Sequence, residues 1–167
     1  MRHAAGAAAA LLALASAASA QEAGWHYSPL SGEGDRAALG CARGSTASSF
    51  TCLAIRCEDD FTVGLHIHTS RAGGDAGRWR LTVDEEQLDL EAAADGSPYH
   101  ARVGAGADEA IDRIRNGAVA YLRPSDGAAV SAEAIPLGGS FAAIGAALFF
   151  CAPRVAPASS SSASSEH

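Results

Sequence analysis

The chain has 167 residues and a net charge of −7, and all twelve of its basic residues other than histidine are arginine. Without lysine it has no side chain for a Schiff base or for the ammonium group of a phosphate-binding loop. The acidic balance and the lack of a basic cluster argue against nucleic acid and anionic membrane surfaces as partners.

The N-terminus has the pattern of a secretory signal peptide. Residues 1–3 include Arg2, and residues 4–15 form an apolar run that is too short to span a bilayer. Ala18 and Ala20 provide the small-residue pair that signal peptidase accepts, so cleavage is expected between Ala20 and Gln21. We therefore expect a periplasmic or secreted protein without integral membrane insertion.

The four cysteines lie beyond this segment, and an exported chain meets an oxidising compartment, so two disulfides are predicted. Three connectivities are available. The favoured one joins Cys41 to Cys52 across a hairpin and Cys57 to Cys151 around a long loop. A zinc site is the alternative, but the cysteines lack the paired spacing of a structural zinc module.

The mature chain begins with patterns typical of antiparallel strands. Residues 37–43 and 50–57 flank a turn rich in glycine and serine and predict a hairpin. Residues 61–69 alternate, with an apolar set that includes Leu65 and a second set that includes His66 and His68. This alternation predicts a strand that packs on one face only.

Further alternating runs predict more strands. A sharp turn is expected at each Asp-Gly pair, because these residues tolerate a positive φ. The runs are Trp79–Leu81–Val83, Leu88–Leu90 after an acidic turn at residues 84–86, Tyr99–Ala101–Val103 after Asp95-Gly96, and residues 119–122 and 130–135 on either side of Asp126-Gly127.

Two helices interrupt the strands. The first runs from Asp108 to Arg115, with charges that suit the helix dipole, and ends at Gly117. The second begins near Ser140, a predicted N-cap, and extends to residue 150. We expect it to cover the sheet and to bury four large side chains, which are Phe141, Ile144, Leu148 and Phe149.

These elements predict a mainly β (α+β) fold: an antiparallel, β-sandwich-like domain with two short helices, the C-terminal one packed on the sheet. The domain is expected to occupy residues 21–154. Residues 155–167 form a Ser-, Ala- and Pro-rich tail whose composition is typical of disorder.

Two histidines are the strongest candidates for a metal-binding site. His66 and His68 are two residues apart on a predicted strand, so they project from the same face and are placed to share a zinc or copper ion. A third ligand would come from His26, from His100 or from the acidic residues 58–60. The competing interpretation places both histidines on a solvated face, with the acidic residues as solubilising turn residues.

The closing segment, Ile135-Pro136-Leu137-Gly138-Gly139-Ser140-Phe141-Ala142-Ala143-Ile144, resembles the S-L-x-G-F-x-A-hydrophobic segment that ends the invasion-associated locus B family of exported α-proteobacterial proteins. The preceding strand, the signal peptide and Trp25 are also similar to that family. The family's mid-domain cysteines are missing here. The resemblance implies a non-enzymatic envelope or secreted β-rich module linked to host interaction, and it implies no catalytic residue.

The sequence contains no complete catalytic set. We therefore expect an exported, non-enzymatic domain with a binding, envelope or interaction role, whose partner is another envelope or host protein. No cofactor is expected in that case. The alternative is a metal-binding protein or metal-dependent enzyme that uses His66 and His68.

Overall fold

Nine strands and two helices follow one another along the part of the chain that the computed structural model describes, residues 24–29, 36–125 and 132–151. The predicted signal peptide with its cleavage at Ala20 and Gln21, the tail at residues 155–167 and the Asp126-Gly127 turn lie outside these residues. The elements are β1 (Gly24–Pro29), β2 (Arg36–Cys41), β3 (Thr51–Cys57), β4 (Val63–Thr69), β5 (Gly77–Val83), β6 (Glu86–Ala94), β7 (Ala101–Val103), α1 (Ala107–Asn116), β8 (Val119–Pro124), β9 (Glu133–Pro136), α2 (Ser140–Ala147) and a final 3₁₀ turn (Phe149–Cys151).

All nine strands belong to one antiparallel sheet in the order β1-β2-β3-β4-β7-β6-β5-β8-β9. The two ends of this sheet approach each other. The backbone N–H of Arg43, just after β2, donates to the carbonyl of Ala134 in β9 at 3.1 Å, and that of Trp25 donates to the carbonyl of Gly138 at 3.4 Å. The sheet therefore curls around its inner face.

The inner face holds the main apolar core. Every second residue of the central strands points into it, as the sequence alternation predicts. The buried aliphatic and aromatic side chains include Leu53, Ile55, Leu65, Ile67, Trp79, Leu81, Leu90, Leu122 and Ile135. The predicted mainly β class with two short helices, one of them on the sheet, is confirmed.

The outer face of β2, β3 and β4 is also buried, so the prediction that β4 packs on one face only is wrong. A second apolar cluster lies there, formed by two alanines, one leucine, the Cys41–Cys52 disulfide and one large ring: Ala37, Leu39, Cys41, Cys52, Ala54 and Tyr99. Tyr99 was expected in a strand with Ala101, but β7 begins at Ala101. His100 has a φ of 68°, which turns the chain and leaves Tyr99 fully buried in the outer-face cluster.

Helix α1 agrees closely with its prediction, since it spans Ala107–Asn116 and Gly117 follows as its C-cap. Ala110, Ile111 and Ile114 are buried on one side of it. On the exposed side, Arg113 pairs with Glu109 one turn earlier at 2.6 Å and also with Glu86 at the start of β6.

Helix α2 packs on β1, β2 and β3, but two predictions about it are wrong. Its N-cap is Gly139, in the left-handed conformation, and the Ser140 hydroxyl instead donates to the carbonyl of Ile114 at 2.8 Å. Ile144 is fully buried, whereas Phe141 and Phe149 are 63% and 72% exposed. The small alanines let α2 approach the sheet closely on one side, so large residues on its other side face solvent.

Both disulfides form with the connectivity that the sequence favours. Cys41 and Cys52 face each other across β2 and β3 on the outer face, and Cys57 at the end of β3 joins Cys151 after α2. The second bond fixes the C-terminal helical segment to the sheet. Among the described residues, no helix is long and apolar enough to cross a membrane.

Candidate functional site

Strand β4 places His66 and His68 side by side on the outer face, as predicted. The side chains are buried, with 0% and 8% of their surface exposed, so the interpretation that they lie on a solvated face is wrong. The reason is Tyr99, whose ring lies 5.9 Å from that of His66 and 6.0 Å from that of His68. Two buried imidazoles need polar partners or a ligand.

His66 has a partner at each ring nitrogen. Its Nε2 lies 2.7 Å from Oε1 of Glu58, and its Nδ1 lies 3.2 Å from the Ser97 hydroxyl. Gly64 makes the first contact feasible, because a Cβ at this position would collide with the Glu58 carboxylate and lie 2.8 Å from Nε2 of His66. With both nitrogens engaged, His66 has no lone pair to share with a metal bound at His68.

Glu58 is the one residue of the acidic turn that enters this cluster. Its side chain is 12% exposed, and its second oxygen lies 3.3 Å from Nε of Arg56, while Nε of Arg102 lies 3.9 Å from the first. Asp59 is fully exposed, and Asp60 accepts hydrogen bonds from Thr62. The interpretation of this turn as purely solubilising is therefore wrong for Glu58.

The chain Ser97–His66–Glu58 has the distances of a nucleophile, a base and an orienting carboxylate. The surroundings favour a structural role instead. The imidazole is completely buried, and the Ser97 hydroxyl accepts the backbone N–H of Tyr99 at 3.3 Å. These bonds hold the loop that carries Tyr99 against the sheet, which accounts for the burial of the outer face.

His68 has a different environment. Its ring centroid lies 4.5 Å from that of His100 and 4.8 Å from that of Phe50. Its Nδ1 is buried and has no hydrogen-bond partner among the described residues. Burial, together with the neighbouring imidazole of His100, lowers the pKa of His68 to about 4. His68 is therefore neutral at pH 7.

His100 is oriented by a buried carboxylate. Its Nδ1 lies 2.7 Å from Oδ2 of Asp75, in the loop between β4 and β5. Asp75 is fixed in turn by the backbone N–H of Thr69 at 2.9 Å and by the Thr69 hydroxyl. The backbone carbonyl of Asp75 accepts the indole N–H of Trp79 at 2.7 Å, which connects this loop to the inner core.

The other predicted ligands are not brought to this site. His26 lies on β1, three strands from β4, which corresponds to about 14 Å at the usual strand spacing. Within residues 24–29, 36–125 and 132–151, no group of three or more His, Cys, Asp or Glu side chains is placed to hold one metal ion.

A cavity of about 350 Å³ opens on the inner face, at the end of the sheet where β3 begins and β4 ends. This volume is at the lower end of the range for small-molecule sites. Its apolar lining comes from Phe50, Trp79, Leu122 and Pro124.

The polar groups of the cavity include one that is buried without a partner. Ser45 is 8% exposed, and its hydroxyl oxygen has no hydrogen-bond partner among the described residues. Arg43, Arg71 and Glu133 also line the cavity, and the guanidinium of Arg71 lies 5.7 Å from the centre of the Trp79 ring. The cavity thus combines apolar walls with two cations and one carboxylate.

Sequence reasoning missed this cavity and also missed Asp75, Ser97 and Tyr99. Each depends on loops that fold back onto the sheet, and a single sequence gives no periodic signal for such contacts. No protein-family model, no curated protein and no solved structure matches this chain.

Proposed function

We propose that this chain is an exported binding domain without catalytic activity, and that it holds a small anionic molecule with an apolar part in the inner-face cavity. The observation that carries the proposal is the buried Ser45 hydroxyl without a partner. Buried polar atoms are normally satisfied, so an unpaired hydroxyl on a residue that lines a cavity supports the presence of a ligand that completes its hydrogen bonding.

The charges around the cavity support an anionic group on the ligand. Arg43 and Arg71 outnumber Glu133, although the whole chain is acidic. A guanidinium binds carboxylate, sulfonate or phosphate oxygens through charge-assisted hydrogen bonds. The rings of Phe50 and Trp79 and the side chain of Leu122 provide the surface for the apolar part.

Export is proposed from the N-terminal pattern together with the disulfides. Disulfides form and persist in oxidising compartments and are rare in the cytosol. The two bonds in the structure, Cys41–Cys52 and Cys57–Cys151, support a periplasmic or secreted location. Membership of the invasion-associated locus B family, and a further envelope or host protein as partner, stay predictions.

The binding proposal is tested with a pair of fluorescent probes. Anilinonaphthalene sulfonate is aromatic and anionic, while N-phenylnaphthylamine is similar in its rings but neutral. We expect the sulfonate to bind the mature, disulfide-bonded chain about tenfold more tightly, the equivalent of about 1.4 kcal/mol. Equal affinity for the two probes would contradict an anion-binding role for the arginines.

Single-residue variants show where on the protein the sulfonate probe binds. Arg71→Gln should weaken sulfonate binding about tenfold because it removes one charge-assisted contact. Arg123→Gln, an exposed arginine on β8 outside the cavity lining, is the matched control and should leave affinity unchanged. Phe149→Ser removes an exposed ring, and loss of binding in this variant would assign the probe to the surface instead of the cavity.

A further inference from the structure

A second candidate site lies on the outer face and is separated from the proposed ligand cavity by Phe50, which lines the cavity and contacts His68. His68 on β4 and His100 before β7 have ring centroids 4.5 Å apart, and their planes are tilted by 59°. The rings are therefore not stacked in parallel. Both residues belong to short segments fixed by hydrogen bonds, so the pair is held in place by the fold.

The Asp75 carboxylate determines which nitrogen of His100 is available. An ionised carboxylate only accepts hydrogen bonds, so Nδ1 of His100, 2.7 Å from Oδ2, carries the proton. In the neutral ring the lone pair is then on Nε2. A carboxylate on the far nitrogen of a histidine is the usual outer partner of a metal ligand, because it fixes the ring and raises its basicity.

His68 provides the second lone pair. Its buried Nδ1 has no hydrogen-bond partner among the described residues. Burying an imidazole nitrogen without a hydrogen-bond partner makes folding less favourable, so its presence needs an explanation. A bound ion would supply the missing partner.

The spacing of the rings fits a shared ion. When two imidazoles bind one tetrahedral ion at about 2.0 Å, their ring centroids lie about 5 Å apart. The observed 4.5 Å therefore requires only a small adjustment. The His100 side chain is 43% exposed, so water can reach the remaining coordination positions.

We propose that His68 and His100 together bind one divalent transition-metal ion, Zn²⁺ or Cu²⁺, with water completing its coordination. Imidazole ligands suit both ions, and the general affinity order predicts that Cu²⁺ binds more tightly than Zn²⁺. This site replaces the pair predicted from the sequence, since both nitrogens of His66 are engaged by Glu58 and Ser97.

The test is a calorimetric titration of the mature, disulfide-bonded chain with Zn²⁺ and, separately, with Cu²⁺. We expect about one ion per chain for each metal. His68→Phe keeps an aromatic ring against Phe50 and Tyr99, and His100→Asn suits the left-handed backbone at this position. Each should weaken binding at least about tenfold, whereas His26→Asn on β1 should bind as the unmodified chain does.

Nuclear magnetic resonance of the unmodified chain gives an answer that does not depend on variants folding. Adding Zn²⁺ should shift the ring nitrogens of His68 and His100, with smaller changes at His26 and His66. Absence of binding by both metals, full affinity in both variants, or a shift centred on His26 would each overturn the site. None of these results affects the cavity proposal, because neither His68 nor His100 lines the cavity.

Discussion

The two faces of strand β4 are buried in different ways. On the inner face, Leu65 and Ile67 pack among aliphatic side chains of the neighbouring strands. On the outer face, His66 and His68 are almost as inaccessible, but their neighbours are Glu58, His100 and Tyr99. One strand thus separates an apolar core from a polar cluster.

The two faces differ in how their stability arises. Burial of each inner-face side chain contributes roughly 1.5 to 3 kcal/mol by removing apolar surface from water. On the outer face, each hydrogen bond contributes roughly 1 kcal/mol net, and losing one partner leaves a buried polar group at a cost of roughly 1 to 3 kcal/mol. On the outer face, removing one hydrogen-bond partner is therefore expected to lower the free energy of unfolding more than removing one apolar contact.

The largest expected effect is on the inner core. Ile144→Asp places a charge without a partner at a fully buried position of α2, so unfolding free energy should fall by about 4 kcal/mol or more. Phe141→Asp, on the exposed side of the same helix, is the control and should change it by less than about 0.5 kcal/mol. Denaturant unfolding measures both, and an equal loss in the two variants would contradict the packing of α2.

A smaller effect is expected from separating Glu58 and His66. Gly64→Ala introduces a Cβ where the Glu58 carboxylate lies, so the contact must break and stability should fall by roughly 1 to 3 kcal/mol. Gly145→Ala is the matched control. Its Cβ meets nothing within 4 Å, and alanine favours a helix by about 1 kcal/mol, so this variant should be slightly more stable. A stable Gly64→Ala protein would show that the buried contact contributes little.

An effect of about the same size is expected from the pH dependence of the outer face. The pKa of His68 is lowered, mainly by burial, from 6.5 to about 4. Between these two pH values the unfolded chain binds a proton at His68 and the folded chain does not. Stability from this group is complete above pH 6.5 and is lost as the pH falls towards 4, by roughly 1 to 3 kcal/mol. His68→Phe should show a correspondingly shallower decrease over this range. Identical pH profiles would contradict a neutral, buried His68.

The inner face could be predicted because the alternation of apolar and polar residues along a strand shows directly which side chains point to the core. Trp79, Leu81 and Val83 were expected on one face and lie there, and the cysteine pairing followed from loop closure across a hairpin. The placement of His66 and His68 on a common face was also correct.

The outer face was not predictable, because its burial depends on contacts between residues far apart in the chain. Tyr99 continues the alternation of Ala101 and Val103, and only the positive φ of His100 removes it from the strand. Asp75 lies in a glycine-rich loop whose composition is typical of a solvated turn, yet it is fully buried. The exposure of Phe141 was missed because α2 is apolar on all sides, so periodicity does not identify its buried side.

The most direct test of ligand binding in the inner-face cavity is to titrate two variants with anilinonaphthalene sulfonate. Ser45→Leu fills the inner-face cavity and removes a buried hydroxyl, whereas His68→Phe leaves every residue of the cavity lining in place and keeps an aromatic ring against Phe50. We predict that Ser45→Leu binds the probe at least about tenfold more weakly and that His68→Phe binds it as the unmodified chain does. Unchanged binding in Ser45→Leu, or loss of binding in His68→Phe alone, would contradict it.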